Sequence, residues 1–160
     1  MKVRDIMTTD VVTVTRDTPV NAVAKVMGAR DISGVPVVDG DGAVIGIITE
    51  LDLIIRNTRL DMPRFIQVLD FGRIPLEWPR ERQERMRHML GTLAEDVMSK
   101  DVVTIAPDDE VETLAELMVQ RRVNPVPVVE GGRLVGIVSR ADLIDMMATA
   151  IDGPADAAEK

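Results

Sequence analysis

Apolar positions along this chain change period in a set order and then repeat that order. Val11 to Val14 is a short β-branched run, and Val20, Val23, Ala24 and Met27 follow at helical spacing. Val35 to Val38 and Val44 to Thr49 are apolar runs of strand length, joined through Asp39-Gly40-Asp41-Gly42, and a helix starts near Leu51. Glycine in that joint supplies the positive φ a tight hairpin needs, whereas the full ligand pattern of a calcium loop is absent. The order is β-α-β-β-α. Its second copy has the helical stripe Val111, Leu114, Ala115 and Met118, the strand Val126-Pro127-Val128-Val129, the turn Glu130-Gly131-Gly132 and a helix near Ala141. Asp17-Thr18-Pro19 and Asp108 are the expected starts of the two first helices, with a capping side chain and, in the first copy, proline in the first turn. The methionines in these stripes read as core filler.

The echo is literal as well as periodic. Val3-Arg4-Asp5-Ile6-Met7-Thr8 is matched by Ala94-Glu95-Asp96-Val97-Met98-Ser99, and Ile47-Ile48-Thr49-Glu50-Leu51-Asp52 by Ile137-Val138-Ser139-Arg140-Ala141-Asp142. Such duplication predicts two similar α/β halves about an approximate two-fold axis, with any binding chemistry present twice. The boundaries drawn from it are a first motif at 1–55, a helical insertion at 56–92, a second motif at 93–147 and a frayed tail at 148–160. Within the insertion, Pro79 and Gly91 bracket a predicted helix with Met86, Met89, Leu90 and Leu93 on one side and arginines and glutamates on the other. A surface helix packed over the body is the plain reading. The sharper one is a lid or dimer contact anchored by Phe71 and Trp78, which with Phe65 are all the aromatic residues of the chain.

Composition narrows the chemistry. At 160 residues and 46% hydrophobic content the chain can bury a core, and the absence of cysteine removes disulfides, thiolate metal sites and thiol nucleophiles. No window approaches a membrane span and the start lacks a signal-peptide apolar run, so a cytoplasmic location is expected. Net charge is −8, yet Arg56 to His88 carries eight arginines against five acids, so the remainder is strongly acidic. An acidic body argues against nucleic-acid binding, which needs a continuous basic surface.

Thr49-Glu50-Leu51-Asp52 and Ser139-Arg140-Ala141-Asp142 set a hydroxyl and a carboxylate three residues apart at a strand-to-helix junction. Alone, either is a capping box. Recurring beside Gly46 or Gly136 and a Val-Pro-Val-Val strand, the pair also suits a sugar: a carboxylate there can accept both ribose hydroxyls while helix amides favour an anion. These residues resemble the CBS domain family, whose paired motifs form a Bateman module, over roughly 1–55 and 93–147. The resemblance implies a stand-alone regulatory module holding adenosyl ligands in clefts between its motifs. It places ribose contacts on Thr49, Asp52, Ser139 and Asp142. Adenine contacts fall near Met7, Val12, Ser33 and Gly34 as one set and Met98, Val103, Asn124 and Pro125 as the other.

Phosphate contacts are expected from Arg121, Arg122 and Arg140 before Arg30, with Lys100 a further candidate, although a helix-terminal arginine also complements the helix dipole. Asn124-Pro125 stands where the first copy has Ser33-Gly34, and proline removes a backbone donor, so unequal sites are expected. Catalysis is not expected: the one histidine, His88, lies in a charged helix, and no phosphate-loop, zinc or nucleophile-elbow pattern occurs. The expectation is a homodimer that senses AMP, ADP or ATP, with magnesium accompanying a triphosphate, requires no cofactor, and passes occupancy to a protein partner. S-adenosylmethionine or NAD are the alternative ligands. A ligand-free interaction module acting through 56–92 is the alternative function.

Overall fold

The computed structural model describes residues 1–58 and 92–151. The predicted insertion helix, its aromatic anchors Phe65, Phe71 and Trp78, and His88 lie outside the described residues, as does the tail beyond Ile151. A 3-10 turn at Val3–Asp5 opens the chain. It is followed by α1 (Val20–Arg30), β1 (Gly34–Val38), β2 (Val44–Thr49) and α2 (Glu50–Thr58), then by the short α3 (Ala94–Val97). The second copy supplies α4 (Val111–Arg121), β3 (Val126–Glu130), β4 (Arg133–Val138) and α5 (Arg140–Ile151). Both hairpins are antiparallel, with a register shift after Val37 and after Val128. Gly42, Gly131 and Gly132 carry the positive φ expected of the turns. Asp39 Oδ1 tightens the first turn by accepting from the N–H groups of Asp41 at 2.9 Å and Ala43 at 3.0 Å.

Chain order and packing order differ. One compact unit, named the Asp142 unit after the acid of its repeated hydroxyl–acid motif, joins Met1–Val11 to Val103–Lys160; the other, the Asp52 unit, is Val12–Val102. Each motif's opening segment thus packs on the hairpin of the other motif. In the Asp142 unit, Thr8 and Ile137 exchange N–H···O bonds of 2.9 and 3.0 Å. In the Asp52 unit, Ser99 and Ile47 do the same at 2.9 and 3.0 Å. Val3 and Ala94 hold equivalent places, both with 0% exposure, in the two cores. The first core gathers Val3, Ile105, Leu114, Met118, Val126, Val128 and Val138; the second gathers Val23, Met27, Val35, Val37, Ile48 and Ala94. The predicted helical stripes are therefore core-facing, with Ala24 and Ala115 at the margin.

Two local expectations are corrected. The run Val11 to Val14 forms no strand: only Val14 pairs, its N–H reaching the Pro36 carbonyl at 3.1 Å and its carbonyl accepting from Val38 at 2.9 Å. The chain then turns, with Thr18 Oγ1 accepting from Thr15 N–H at 3.1 Å. Ile105 repeats the arrangement against Pro127 and Val129, and Asp109 makes the matching turn with Ala106. Nor do side chains cap α1 and α4. Pro19 and Glu110 sit at the cap positions without a side-chain hydrogen bond. The first N–H of each helix is instead taken by a distant carbonyl, Val20 by Thr92 at 2.8 Å and Val111 by Met1 at 3.0 Å. Asp108 pairs with Arg4, and Lys2 lies 2.5 Å from Glu110, whose hydrogen bond to the ammonium holds its carboxyl below the usual range.

Candidate functional site

In each unit the last strand runs directly into a helix, and the hydroxyl and carboxylate of the repeated motif close on one another at that junction. Thr49 N–H and Oγ1–H both donate to Asp52 Oδ2, at 2.9 and 3.0 Å, while Asp52 N–H returns to Thr49 Oγ1 at 3.3 Å. Ser139 and Asp142 repeat this at 2.6, 2.7 and 3.4 Å. All four residues are part-buried. The capping box is therefore real, and it uses one carboxylate oxygen. Among the described residues no hydrogen bond reaches Oδ1 of Asp52 or Asp142. An ionised carboxylate has about four lone-pair sites. Each acid can thus hold its helix start through Oδ2 and still offer Oδ1 to a pair of hydroxyls.

The two junctions are finished differently on one side. Glu50 N–H, at the start of α2, donates to the backbone carbonyl of Ser33 at 3.0 Å. Arg140 N–H, at the start of α5, donates to the side-chain Oδ1 of Asn124 at 2.8 Å. Gly34 and Pro125 are buried beside them at the starts of the inner strands. Asp31 and Arg122 come after the last turns of α1 and α4 in the left-handed conformation, with φ of 52° and 53°, and their N–H groups bond the carbonyls of Met27 and Met118.

The residues expected near adenine fall into the two units in a different grouping from motif order. Met7 belongs to the Asp142 unit and lies over Gly136, where a Cβ would come within 2.6 Å of its sulfur. Met98 belongs to the Asp52 unit and lies over Gly46, where a Cβ would come within 2.8 Å of its Cγ. Val12, Ser33, Gly34 and Arg30 share the Asp52 unit, and Val103, Asn124, Pro125, Arg121, Arg122 and Arg140 the Asp142 unit. Motif order pairs Met7 with Val12 and Met98 with Val103. The signal for the exchange was present as the recurrence of a methionine and a strand glycine in both copies, but spacing does not say which methionine meets which glycine.

Lys100 belongs to the Asp52 unit. It lines a groove of about 440 Å³ with Arg16, Ile45, Glu95, Asp96 and Met98. Ile45 is four residues before Thr49 on β2, a run of about 13 Å at strand rise. Two acids stand among the groove's two cations. Among the described residues no group of acids and histidines is arranged to hold a metal ion, and no helix is long and apolar enough to cross a membrane.

A duplicated strand-to-helix clasp of hydroxyl and acid, set on paired hairpins with first-helix cover, defines a tandem-motif α/β module. The CBS domain family model matches residues 3–56 and 94–149, and the chain belongs to that family. Protein MJ1426 of Methanocaldococcus jannaschii is 34% identical over 154 residues, covering 92% of this chain and 91% of that one. The solved CBS domain of a CBS domain-containing membrane protein from Sphaerobacter thermophilus is 37% identical, with a TM-score of 0.69 over 91% of this chain and 86% of that one. CBSX2, solved in complex with AMP, shares the fold at 21% identity, with a TM-score of 0.69 over 94% of this chain and 98% of that one.

Proposed function

We propose that this chain is a regulatory CBS-pair module that binds an adenosine nucleotide, AMP, ADP or ATP, at its Thr49–Asp52 and Ser139–Asp142 pairs and leaves it chemically unchanged. The observation that carries the reading is the oxygen bookkeeping of the two acids: Oδ2 holds the helix start, and Oδ1 has no partner among the described residues. A ribose offers two adjacent hydroxyl donors, which a carboxylate oxygen with two lone pairs can accept. The N–H groups of the first turns of α2 and α5 lie beside these acids and favour anionic groups. AMP in a fold neighbour agrees with this reading. Regulation then requires differential affinity, since a nucleotide shifts a conformational or oligomeric equilibrium only as far as it prefers one state. We take the working form to be a cytoplasmic homodimer that passes occupancy to a partner, with magnesium accompanying a bound triphosphate.

Calorimetric titration with AMP, ADP and ATP tests the assignment. Asp142→Ala is expected to weaken binding by about tenfold or more, the scale of a lost charge-assisted hydrogen bond, and by more than Asp52→Ala. Undiminished affinity in both single variants and in the double variant would remove the ribose role from these acids.

A further inference from the structure

The two junctions are alike in backbone and opposite in charge. Arg122 and Asp31 occupy the same left-handed position after the first helix of each motif, at φ 53° and 52°. Arg140 and Glu50 occupy the same first position of the last helix, each with its N–H tied back to the segment leading into β3 or β1, at Asn124 or Ser33. Arg121 and Arg30 are matched in sign and close the two first helices. The Asp142 junction therefore carries Arg121, Arg122 and Arg140, whereas the Asp52 junction carries Arg30, Asp31 and Glu50, all six at least partly exposed. Arg122 is two residues from Asn124, and Asn124 Oδ1 accepts from the Arg140 N–H, so the backbone brings the Arg122 and Arg140 positions to the end of the unit where Ser139 and Asp142 lie. In the Asp52 unit the same places present two carboxylates beside a third, Asp52. Of the other described cations of that unit, Arg16 and Lys100 line a groove with Glu95 and Asp96, and Lys25 lies on α1.

We infer that the two pairs rank adenosine ligands by charge: the Ser139–Asp142 pair prefers those bearing a 5′-phosphate, and the Thr49–Asp52 pair prefers adenosyl compounds without one. This rests on the ribose role proposed above and extends it to the group attached at the ribose 5′ carbon. Like charges at the Asp52 junction repel a phosphate, and unlike charges at the Asp142 junction attract it, most strongly at low ionic strength.

AMP and adenosine share base and sugar and differ in the phosphate, so their affinity ratio isolates the charge effect. Full-length protein is titrated with both, as wild type, as Asp52→Ala to leave the Asp142 pair, and as Asp142→Ala to leave the Asp52 pair. In Asp52→Ala, AMP is expected to bind at least about tenfold more tightly than adenosine, a preference that salt erodes. In Asp142→Ala, adenosine is expected to bind at least as tightly as AMP. Adding Arg140→Glu to the first variant lowers its AMP-to-adenosine ratio by about three- to tenfold at low salt, and adding Glu50→Arg to the second raises its ratio by a similar factor. Equal ratios in the two single variants, or no binding of adenosine to Asp142→Ala, would overturn the division of ligands. Wild-type protein that bound neither compound would instead overturn the ribose role itself.

Discussion

Asp52 and Asp142 each serve folding through one carboxylate oxygen and leave the other for the ribose role proposed above. Because Oδ2 accepts from the Thr49 or Ser139 N–H and hydroxyl, the acid has a structural reason to be where it is. Losing such a cap costs about 0.5–2 kcal/mol. Variants at these positions must therefore be judged by what ligand adds to their stability rather than by stability alone. Gly46 is the second residue-scale device. With Met98 Cγ 2.8 Å and Met98 Cβ 3.0 Å from where its Cβ would stand, an added methyl displaces the root of that side chain as well as its flexible end. Gly46→Ala is expected to cost about 1–3 kcal/mol, the usual range for overpacking. In a double-mutant cycle with Met98→Ala, measured by urea unfolding, the double variant should lose less than the two single losses added together. Strict additivity would show that the contact is not what requires glycine there.

At the scale of elements, the hairpins and the helical stripes were legible because their signals are local. Apolar runs bounded by Gly42 or by Gly131 and Gly132 leave little choice of where the chain turns. The run Val11 to Val14 was misleading because β-branched residues state a preference, and a strand also needs a partner along its length. Val14 finds one at β1, and the Thr15–Thr18 turn then takes the chain away. The starts of α1 and α4 differ from the local expectation for the complementary reason. Their first N–H groups are satisfied by Thr92 and Met1, residues far away in sequence, so a search for a nearby capping side chain looks in the wrong place. The hydroxyl–acid capping boxes were legible down to their partners, since hydroxyl and acid lie within one helical turn.

For the whole molecule, the family model keeps to chain order, at 3–56 and 94–149, whereas the compact units exchange their opening segments. Sequence similarity cannot show this, because Val3-Arg4-Asp5 and Ala94-Glu95-Asp96 fit either hairpin by pattern. Val3 makes the exchange testable, as it has 0% exposure within the core of Ile105, Leu114, Val126 and Val138. Val3→Ala is expected to cost about 1–3 kcal/mol. Amide exchange should then quicken first across Val126–Glu130 and Arg133–Val138, while Gly34–Val38 and Val44–Thr49 keep their protection. Faster exchange in the latter pair of strands alone would place the opening segment on its own motif. The exchange also ties Met7 to the unit of Asp142 and Met98 to that of Asp52, so each unit's strand glycine meets a methionine supplied by the other motif.

Whether paired acids on duplicated junctions bind an adenosine nucleotide is decided by thermal unfolding of nucleotide-free protein. AMP, ADP and ATP, each with and without magnesium, are compared on the wild type and on Asp52→Ala/Asp142→Ala. A ligand at a hundred times its dissociation constant stabilises the native state by about 2.7 kcal/mol, which raises the midpoint of a chain this size by several degrees, roughly 2–4 °C per kcal/mol. A rise with at least one of the three nucleotides is expected in the wild type, and none in the double variant. No rise in the wild type, or the same rise in both proteins, would refute nucleotide binding at these acids.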